Sequence, residues 1–437
     1  MGNHPLFCCT KSKGVIQLYK LNYWGETMNI QQFLETSYTA FHTVANCKSF
    51  LLQNGFEQLT VGNKWSLKKG GKYFVTKNDS TIVAFVVGNL SNYAFNIAES
   101  HTDSPCLKAK GNALTDSAEG KRINCERYGG GLWYTFLDTP LKVAGRLFVE
   151  EDGKLNCQLV ESNYTVAIPS LCVHHNPEAA EKLSLNMQTD VQPLLGNATD
   201  LWSTLTDKTV VDADLFVVPA TQCAYTGVNG EFLTAPRIDN LTSVWASLQA
   251  IASCNPTGVA LAVCFDNEEV GSHTKQGACS AFLPQLLQKI NRELGFDADA
   301  YESAVINGFA LSIDNGHAVH PAHPEKSDVA NKVYLNKGVV IKHHVNYATD
   351  GFSSAVVKTL WNNNGIAWQD YYNRSDLRCG STLGLVTSAQ LQMNVCDCGL
   401  AQLAMHSANE TVGTNDIALM ADAVKVFFNC TVKQLTK

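Results

Sequence analysis

Apolar residues follow two different periods along the chain. Unbroken apolar runs at 81–87 and 259–265 indicate strands that are buried on both faces. Apolar positions spaced three or four residues apart, at 30–45, 241–251 and 417–428, indicate amphipathic helices, the first of which is predicted to open at Met28. Strands that alternate with helices in this way are typical of an α/β fold.

A different pattern fills residues 105–222. Helical periods are weak there, and two short stretches with apolar residues, 144–150 and 155–160, lie on either side of an Asp-Gly turn at 152–153. Two such stretches around an Asp-Gly turn are typical of a β-hairpin. We therefore predict a β-rich domain in this segment, inserted into the α/β domain.

The length of the chain also favours two domains. A chain of 437 residues is long for a single hydrophobic core. An insertion at 105–222 leaves residues 28–104 and 223–437 to form one discontinuous catalytic domain. Residues 1–27 carry three lysines, two adjacent cysteines and a single acid, and we treat them as an extension of unclear role.

Two adjacent carboxylates follow the strand predicted at 259–265. Glu268 and Glu269 lie beyond its carboxyl end, which is where open α/β sheets place their ligands. Neighbouring carboxylates repel each other in a half-buried position unless a cation lies beside them. A metal ion that takes one as a ligand and leaves the other to transfer a proton would resolve this conflict. The simpler interpretation is a solvated acidic loop.

Other predicted strands end in residues of the same chemical types. His101 and Asp103 are two residues apart on extended backbone and so point to one face, where Asp103 can hold one ring nitrogen while the other binds a metal. Asp314 and His406 each follow an apolar run. Asp239 precedes a helical pattern, where its usual role would be to cap the helix.

Five of these side chains make a candidate ligand set, namely His101, Asp239, Glu269, Asp314 and His406. Imidazole and carboxylate ligands suit zinc, with manganese or cobalt as possible substitutes. Two ions that share Asp239 would each obtain three protein ligands and keep an open position. Such a pair fits hydrolysis of an amide beside a free amino terminus. Glu268, next to a ligand, is then the candidate general base.

Composition and charge argue against several other classes. The chain has 33 Lys and Arg against 40 Asp and Glu, so it lacks the basic excess of a nucleic-acid-binding protein. No apolar run approaches the roughly 20 residues needed to cross a membrane. The 15 cysteines are scattered, without a compact disulfide framework or a preceding signal peptide. This usage indicates reduced thiols and a cytoplasmic protein.

Six short motifs occur together, and the set is far more specific than any one of them. They are ESHTDSPCLK at 99–108, GGGLW at 129–133, PRIDN at 236–240, FDNEEVGS at 265–272, Asp314 with His317 and His320-Pro321, and MHS at 405–407. Together they resemble the aspartyl aminopeptidases, a family of dinuclear zinc exopeptidases. The resemblance extends from about residue 28 to the C-terminus. It implies a mixed-sheet α/β catalytic domain that is interrupted by a β-rich dimerisation domain.

The resemblance also implies a role for each site residue. One zinc ion would be bound by His101, Asp239 and Glu269, and the other by Asp239, Asp314 and His406. Glu268 would act as general base on a water that bridges the two ions. Asp103 would orient His101, and the peptide between Asp239 and Asn240 would be cis.

A homo-oligomer is part of what the resemblance implies. Members of the family assemble from dimers into tetrahedral dodecamers, with their active sites facing an internal chamber. By this resemblance His174 would reach the site of a neighbouring subunit and help to stabilise the oxyanion. By sequence alone, His174 and His175 follow an apolar run at 167–173 that predicts a strand, and the simpler interpretation is an ordinary interface or surface pair.

The implied substrates are peptides with Asp or Glu at the N-terminus. Lys342 and Tyr347 would bind the substrate, with Lys342 as the contact for its acidic side chain. The sequence departs from the family at Asn409, where an Arg is usual, at Leu385, where a Pro is usual, and before Tyr347, where the segment is shorter and lacks an Arg. The loss of two arginines weakens electrostatic selection of an acidic residue.

Two other functions remain compatible with the sequence. One is a dinuclear zinc amidohydrolase of broader specificity, such as a deacylase, although the β-rich insertion and the motif at 265–272 favour a peptidase. The other is a catalytically silent oligomeric scaffold. That function would require a damaged site, whereas all five candidate ligands and Glu268 are present.

Overall fold

The computed structural model describes residues 28–435, so the predicted extension at 1–27 lies outside the described residues. The helices are α1 (Ile30–Thr36), α2 (Ala40–Gln53), α3 (Ile238–Ser253), α4 (Phe282–Glu293), α5 (Ala298–Ile306), α6 (Gly351–Asn363), α7 (Leu383–Leu391) and α8 (Thr414–Asn429). The strands are β1 (Glu57–Gln58), β2 (Lys72–Lys77), β3 (Thr81–Val87), β4 (Phe95–His101), β5 (Cys106–Ser117), β6 (Gly120–Tyr128), β7 (Leu141–Glu151), β8 (Lys154–Glu161), β9 (Leu194–Gly196), β10 (Val210–Pro219), β11 (Ala224–Thr226), β12 (Phe232–Ala235), β13 (Val259–Phe265), β14 (Phe309–Ile313), β15 (Gly316–His317), β16 (Val339–His343), β17 (Trp368–Tyr372), β18 (Asn394–Gly399), β19 (Ala401–Leu403) and β20 (Glu410–Gly413).

Nine strands form a central sheet in the order β1-β2-β3-β13-β4-β14-β18-β16-β17. At its centre, β4 lies between β13 and β14 and is parallel to both. Pairing is antiparallel between β3 and β13 and between β16 and β18. The sheet is therefore mixed, which confirms the predicted fold class.

Helices cover both faces of the central sheet. On one face, Ile82 and Ala84 of β3 pack in a core with side chains from α1, α2, α3, α6 and α8. On the other face, Val83 and Phe85 pack with side chains from α4, α5 and α7. Because both faces are covered, every residue of β3 and β13 is buried, as their unbroken apolar runs predict.

A second sheet is built from the strands between Cys106 and Pro219. Its six strands are ordered β8-β7-β10-β5-β6-β9, and all neighbouring pairs are antiparallel. The predicted hairpin is confirmed as β7 and β8, which pair from Ala144 with Glu161 to Glu151 with Lys154. This sheet has a hydrophobic core of its own, to which β5, β7 and β10 contribute. The exact domain boundaries stay a prediction.

A third sheet is ordered β11-β12-β20-β19-β15, and its neighbouring strands β19 and β20 are antiparallel. Within the described part of the chain, every helix is too short or too polar to cross a bilayer.

The single helix predicted to open at Met28 is wrong. The chain forms α1 and α2 instead, separated by a break in which Thr39 is extended, with φ −139° and ψ 169°. The buried side chain of Asn46 on α2 donates a hydrogen bond to the Ser37 hydroxyl at 3.0 Å. This polar contact links α2 to the end of α1, and apolar spacing alone does not reveal it.

The strand predicted at 167–173 is also wrong. Ala167 makes an isolated bridge to Leu194, and no regular strand follows it. Pro169 lacks the N–H that a strand pairing would use. Leu171 and Val173 are 60% and 55% exposed, so the apolar run does not mark a buried strand here.

Candidate metal centre

Three neighbouring strands bring functional residues to one edge of the central sheet. His101 is the last residue of β4, and it lies opposite Phe265, the last residue of β13. A short 3₁₀ turn, Glu268–Val270, follows β13, and Asp314 follows β14 directly. Because these strands are parallel, their carboxyl ends meet at the edge where α/β sheets bind ligands.

Asp239 and His406 reach this edge from outside the central sheet. Asp239 lies in the first turn of α3 with non-helical backbone angles, φ −79° and ψ 110°, and it does not cap that helix. Its peptide bond to Asn240 is cis, as the resemblance implies. His406 lies in the turn between β19 and β20, with φ +65°.

The five candidate ligands form two groups that share Asp239. In one group, His101 Nε2 lies 3.3 Å from Asp239 Oδ1 and 3.7 Å from Asp314 Oδ1. In the other, His406 Nε2 lies 3.5 Å from Asp239 Oδ2 and 3.3 Å from Glu269 Oε1. The donor atoms of each group are all within 4.8 Å of one another. Asp239 therefore presents one oxygen to each group.

This grouping corrects the pairing that the resemblance implies. Asp314 was expected beside His406, and Glu269 in the group of His101 and Asp239. The structure instead joins Asp239 and Asp314 to His101, because β4 and β14 are adjacent parallel strands. It joins Asp239 and Glu269 to His406. Glu269 also lies within 4.8 Å of His101 in a third group that includes Glu268, so the set of ligands is compact although its division differs.

Both imidazole rings are held by main-chain carbonyls. His101 Nδ1 lies 3.0 Å from the Asp103 carbonyl oxygen, and His406 Nδ1 lies 3.1 Å from the Gly130 carbonyl oxygen. A carbonyl oxygen only accepts hydrogen bonds, so each Nδ1 is the donor and each Nε2 faces the carboxylates as a ligand atom.

The structure explains part of the glycine motif at Gly129. Its φ is +78°, and a Cβ there would lie 3.2 Å from the Glu269 side chain.

The charges at this edge favour a bound cation. Burial lowers the pKa of His406, but Asp239 and Glu269 outweigh it and raise the value to about 12. Burial also lowers the pKa of His101, but Asp103, Asp239 and Asp314 outweigh burial and raise the pKa well above its usual value. The buried Asp239 Oδ1 has no hydrogen-bond partner among the described residues. A metal ion would satisfy this oxygen, and the nitrogen and oxygen donors present fit zinc.

Asp103 supports the centre through two different groups. Its main-chain oxygen holds the ring of His101, while its carboxylate Oδ1 lies 3.4 Å from the same ring nitrogen. The carboxylate accepts the main-chain N–H of Glu268 at 3.2 Å and of Glu269 at 3.1 Å, together with the Tyr128 hydroxyl at 2.7 Å. Asp103 therefore positions the turn that carries the two glutamates as well as His101.

Glu268 is placed to exchange a proton at the centre. Its carboxylate lies within 4.8 Å of the imidazole of His101 and the carboxylate of Glu269, in a group that does not include Asp239. Burial raises the pKa of Glu268 to about 8, and Asp314 and Glu269 add to the rise while His101 opposes it. A carboxylate beside the ligands that does not itself bind a metal is free to act as a base, and this role of Glu268 stays a prediction.

Glu410 is a supporting residue that the sequence analysis missed. Its buried carboxylate accepts the main-chain N–H of Asp239 at 2.8 Å and that of His406 at 2.6 Å. It therefore fixes the shared ligand and a ligand of one group at the same time. The only signal in the sequence is an acid four residues after His406, and that spacing gives no indication of a contact with Asp239.

The structure places Lys342 and Tyr347 beside the centre. The buried Lys342 Nζ donates to the main-chain oxygens of Asp314 and Asn315, both at 3.1 Å, and lies 3.3 Å from Asp314 Oδ2. The same ammonium lies 5.0 Å from the centre of the Tyr347 ring. Lys342 thus holds the segment that carries a ligand, a contact that the sequence analysis did not predict.

His174 is not brought to the centre of its own chain. It is exposed in an irregular turn of the β-rich segment, where the main-chain N–H of His175 bonds to the carbonyl of Cys172 at 3.0 Å. It belongs to none of the ligand groups found among the described residues. Its predicted role in a neighbouring subunit stays a prediction.

Comparison with known sequences identifies a family for nearly the whole chain. The family model for the aminopeptidase I zinc metalloproteases (M18) matches residues 33–428. A probable M18 family aminopeptidase 2 from Clostridium novyi is 38% identical over 419 residues, which cover 91% of this chain and 97% of the relative. A protein of the same description from Stutzerimonas stutzeri is 34% identical over 417 residues, which cover 91% and 96%.

Solved structures have the same fold. Ape4, in a cryo-EM structure of its complex with Nbr1, has a TM-score of 0.86 and 31% identity, covering 91% of this chain and 84% of that one. An M18 aminopeptidase from Thermotoga maritima, at 24% identity, has a TM-score of 0.80 over 91% of this chain and 94% of that one, which supports the fold alone. The chain therefore belongs to the M18 family of zinc metalloproteases, the aminopeptidase I family.

Proposed function

We propose that this chain is an aminopeptidase that uses two zinc ions to remove the N-terminal residue, preferably Asp or Glu, from peptides. The observation that carries the proposal is the carboxylate of Asp239, which offers one oxygen to each of two ligand groups. His101 and Asp314 would complete one site, and Glu269 and His406 the other. Manganese or cobalt would be accepted by the same donors.

Zinc bound at such a centre supplies Lewis acidity, which polarises the scissile carbonyl and makes a water easier to deprotonate. Glu268 would take the proton from that water as its oxygen attacks the carbonyl carbon. As the C–N bond breaks, Glu268 would return the proton to the leaving nitrogen, so that the products are a free amino acid and a shortened peptide. Asp103 would hold Glu268 in position by accepting its main-chain N–H, and Glu410 would hold Asp239 in the same way.

The preference for an acidic residue is supported by Lys342. Burial lowers the pKa of Lys342, but Asp314 and other nearby acidic groups outweigh burial and raise the pKa above its usual value, so the ammonium stays charged beside the centre. Its contact with Asp314 Oδ2 is the longest of its three, at 3.3 Å, and is the one that a substrate carboxylate would replace. Asn409, where the family usually has an arginine, accepts the Thr221 hydroxyl at 2.6 Å. We therefore expect a preference for Asp and Glu that is not strict.

A substrate panel tests this function directly. Peptides that begin with Asp, Glu, Ala or Leu should all be cleaved at the first bond, with the highest kcat/KM for the acidic residues. N-acetylated Asp peptides should not be cleaved, whereas a deacylase would release acetate from them. A metal-loaded sample that cleaves none of these peptides would favour the silent scaffold.

We also propose a homo-oligomer, built from dimers into a tetrahedral dodecamer, with the β-rich sheet as the dimerisation domain. One similar solved structure is a dodecamer of mApe1. The exposed apolar residues Leu171 and Val173, next to His174, fit an interface better than open solvent.

A cytoplasmic location is part of the proposal. Cysteines in the described part of the chain are free thiols, which fits the reducing cytoplasm.

Replacement of His174 by Ala is expected to lower kcat by about 10²-fold while the zinc content stays unchanged, because an oxyanion donor is lost and no ligand is touched. The measurement is steady-state kinetics with metal analysis on the same sample. His175→Ala is the matched control and should retain activity.

Mixed oligomers show whether His174 acts across subunits. His174→Ala subunits keep Glu268, and Glu268→Gln subunits keep His174, so co-expression should restore activity that neither variant has alone. Hybrid oligomers as inactive as the two parents would contradict the role in a neighbouring subunit.

A further inference from the structure

Two loops meet beside the Asp314 side of the centre. The Tyr347 loop (344–349) follows β16, and the Cys379 loop (373–382) precedes α7. The Cys379 thiol donates to the Tyr347 hydroxyl at 3.1 Å, and the Asn346 side-chain amide donates to the Cys379 carbonyl at 3.2 Å. Since Tyr347 lies against Lys342, which in turn contacts Asp314, the two loops form one wall next to the ligands.

A single buried carboxylate holds both loops from behind. Asp397, on β18, has no exposed surface. Its Oδ2 accepts the main-chain N–H of Ala348 at 2.7 Å and of Thr349 at 3.1 Å, and its own main-chain N–H donates to the Thr349 hydroxyl at 2.7 Å. Its Oδ1 accepts the hydroxyl of Thr382, at the end of the other loop. Each oxygen of the carboxylate therefore fixes a different loop.

The hydroxyl of Thr382 is diverted from its usual role. Thr382 is the N-cap residue of α7, but its side chain makes no capping bond to the helix and bonds to Asp397 instead. The beginning of α7 is pressed against the same strands, because a Cβ on Gly384 would lie 2.6 Å from Asp397 Oδ1. A threonine at this position normally caps its helix. Here the hydroxyl of Thr382 does not stabilise the beginning of α7 and instead connects the Cys379 loop to Asp397.

We infer that Asp397 is a positioning residue that sets the wall against which the N-terminal side chain of the substrate packs. This inference rests on the proposed aminopeptidase function. Asp397 does not reach the reacting atoms, so it acts through the Tyr347 loop and the Cys379 loop. Weakening its bond to Thr382 should loosen the wall, raise KM and flatten the preference among N-terminal residues, while kcat and zinc content change little.

Thr382→Val tests the inference, because it removes the hydroxyl and keeps the shape of the side chain. We expect KM for the preferred peptide to rise about tenfold, since a buried carboxylate oxygen loses its partner. Thr382→Ser keeps the hydroxyl and should restore KM to within about twofold of the unchanged protein. Zinc content and the melting temperature are measured on the same samples.

Thr387→Val is the matched control for simple destabilisation. Thr387 lies on the same helix, and its hydroxyl bonds to the buried Glu99 of the same sheet at 2.5 Å without touching either loop. It should lower the melting temperature without the rise in KM. Should Thr382→Val fail to fold, Cys379→Ala removes the bond between the loops and is expected to raise KM in the same direction.

The outcomes separate this inference from the function on which it rests. Failure of the unchanged, metal-loaded protein to cleave any aminoacyl substrate would reject the aminopeptidase function itself. Cleavage by that protein, together with an unchanged KM in Thr382→Val, would reject the role of Asp397. An equal rise in KM in Thr387→Val, or loss of zinc in Thr382→Val, would also reject it.

Discussion

Replacing Glu268 by Gln is expected to lower kcat by about 10²–10⁴-fold while zinc remains bound. The substitution keeps the shape of the side chain and removes only its ability to take up a proton. Glu268 belongs to neither group that shares Asp239, so the ligands of both groups stay in place. Steady-state kinetics and metal analysis of one sample measure the two effects together.

Glu269→Gln is the matched control for this prediction, because it makes the same chemical change in the adjacent residue. Glu269 Oε1 lies 3.3 Å from His406 Nε2, within a ligand group. We therefore expect this variant to lose zinc, with activity that returns in part when zinc is added in excess. Near-normal turnover in metal-loaded Glu268→Gln would remove Glu268 from the mechanism.

Replacing Asp239 by Ala is expected to remove both zinc ions and all measurable activity. Its two oxygens face different groups, so each site would be left with one imidazole and one carboxylate from the remaining four ligands. Asp239→Asn keeps a single oxygen and should retain at most one tightly bound ion. Zinc content per chain after dialysis distinguishes the two variants.

Asp266→Asn provides the control, because Asp266 is a buried acid in the same motif as Glu269 but belongs to none of the ligand groups. It should keep its zinc. Full zinc content in Asp239→Ala would mean that Asp239 is not shared between two ions.

Much of the fold follows from the local sequence. The apolar runs that become β3 and β13 are long, unbroken and bounded by turn residues, so their burial on both faces could be predicted. The hairpin of β7 and β8 could be predicted because its Asp-Gly turn and both flanking stretches lie within one short segment. The break between α1 and α2 could not, since apolar spacing continues across it and the contact between Asn46 and Ser37 that links the two helices is polar.

Which candidate ligands cluster could be predicted from the sequence, but their geometry could not. His101, Glu269 and Asp314 each follow an apolar strand, a signal that a single sequence contains. The pairing of Asp314 with His101 depends on which strands are neighbours, and strand order is a long-range property. For the same reason, the contacts of Glu410 with Asp239 and of Lys342 with Asp314 join segments that are far apart in the chain.

The central claim is that two zinc ions share Asp239 and that catalysis needs both. Its most direct test is to remove all metal by chelation and to follow activity while zinc is added back in measured amounts. We predict no activity in the metal-free protein, and full activity only when about two zinc ions per chain are bound. Full activity in the metal-free protein, or with a single bound ion per chain, would contradict the account.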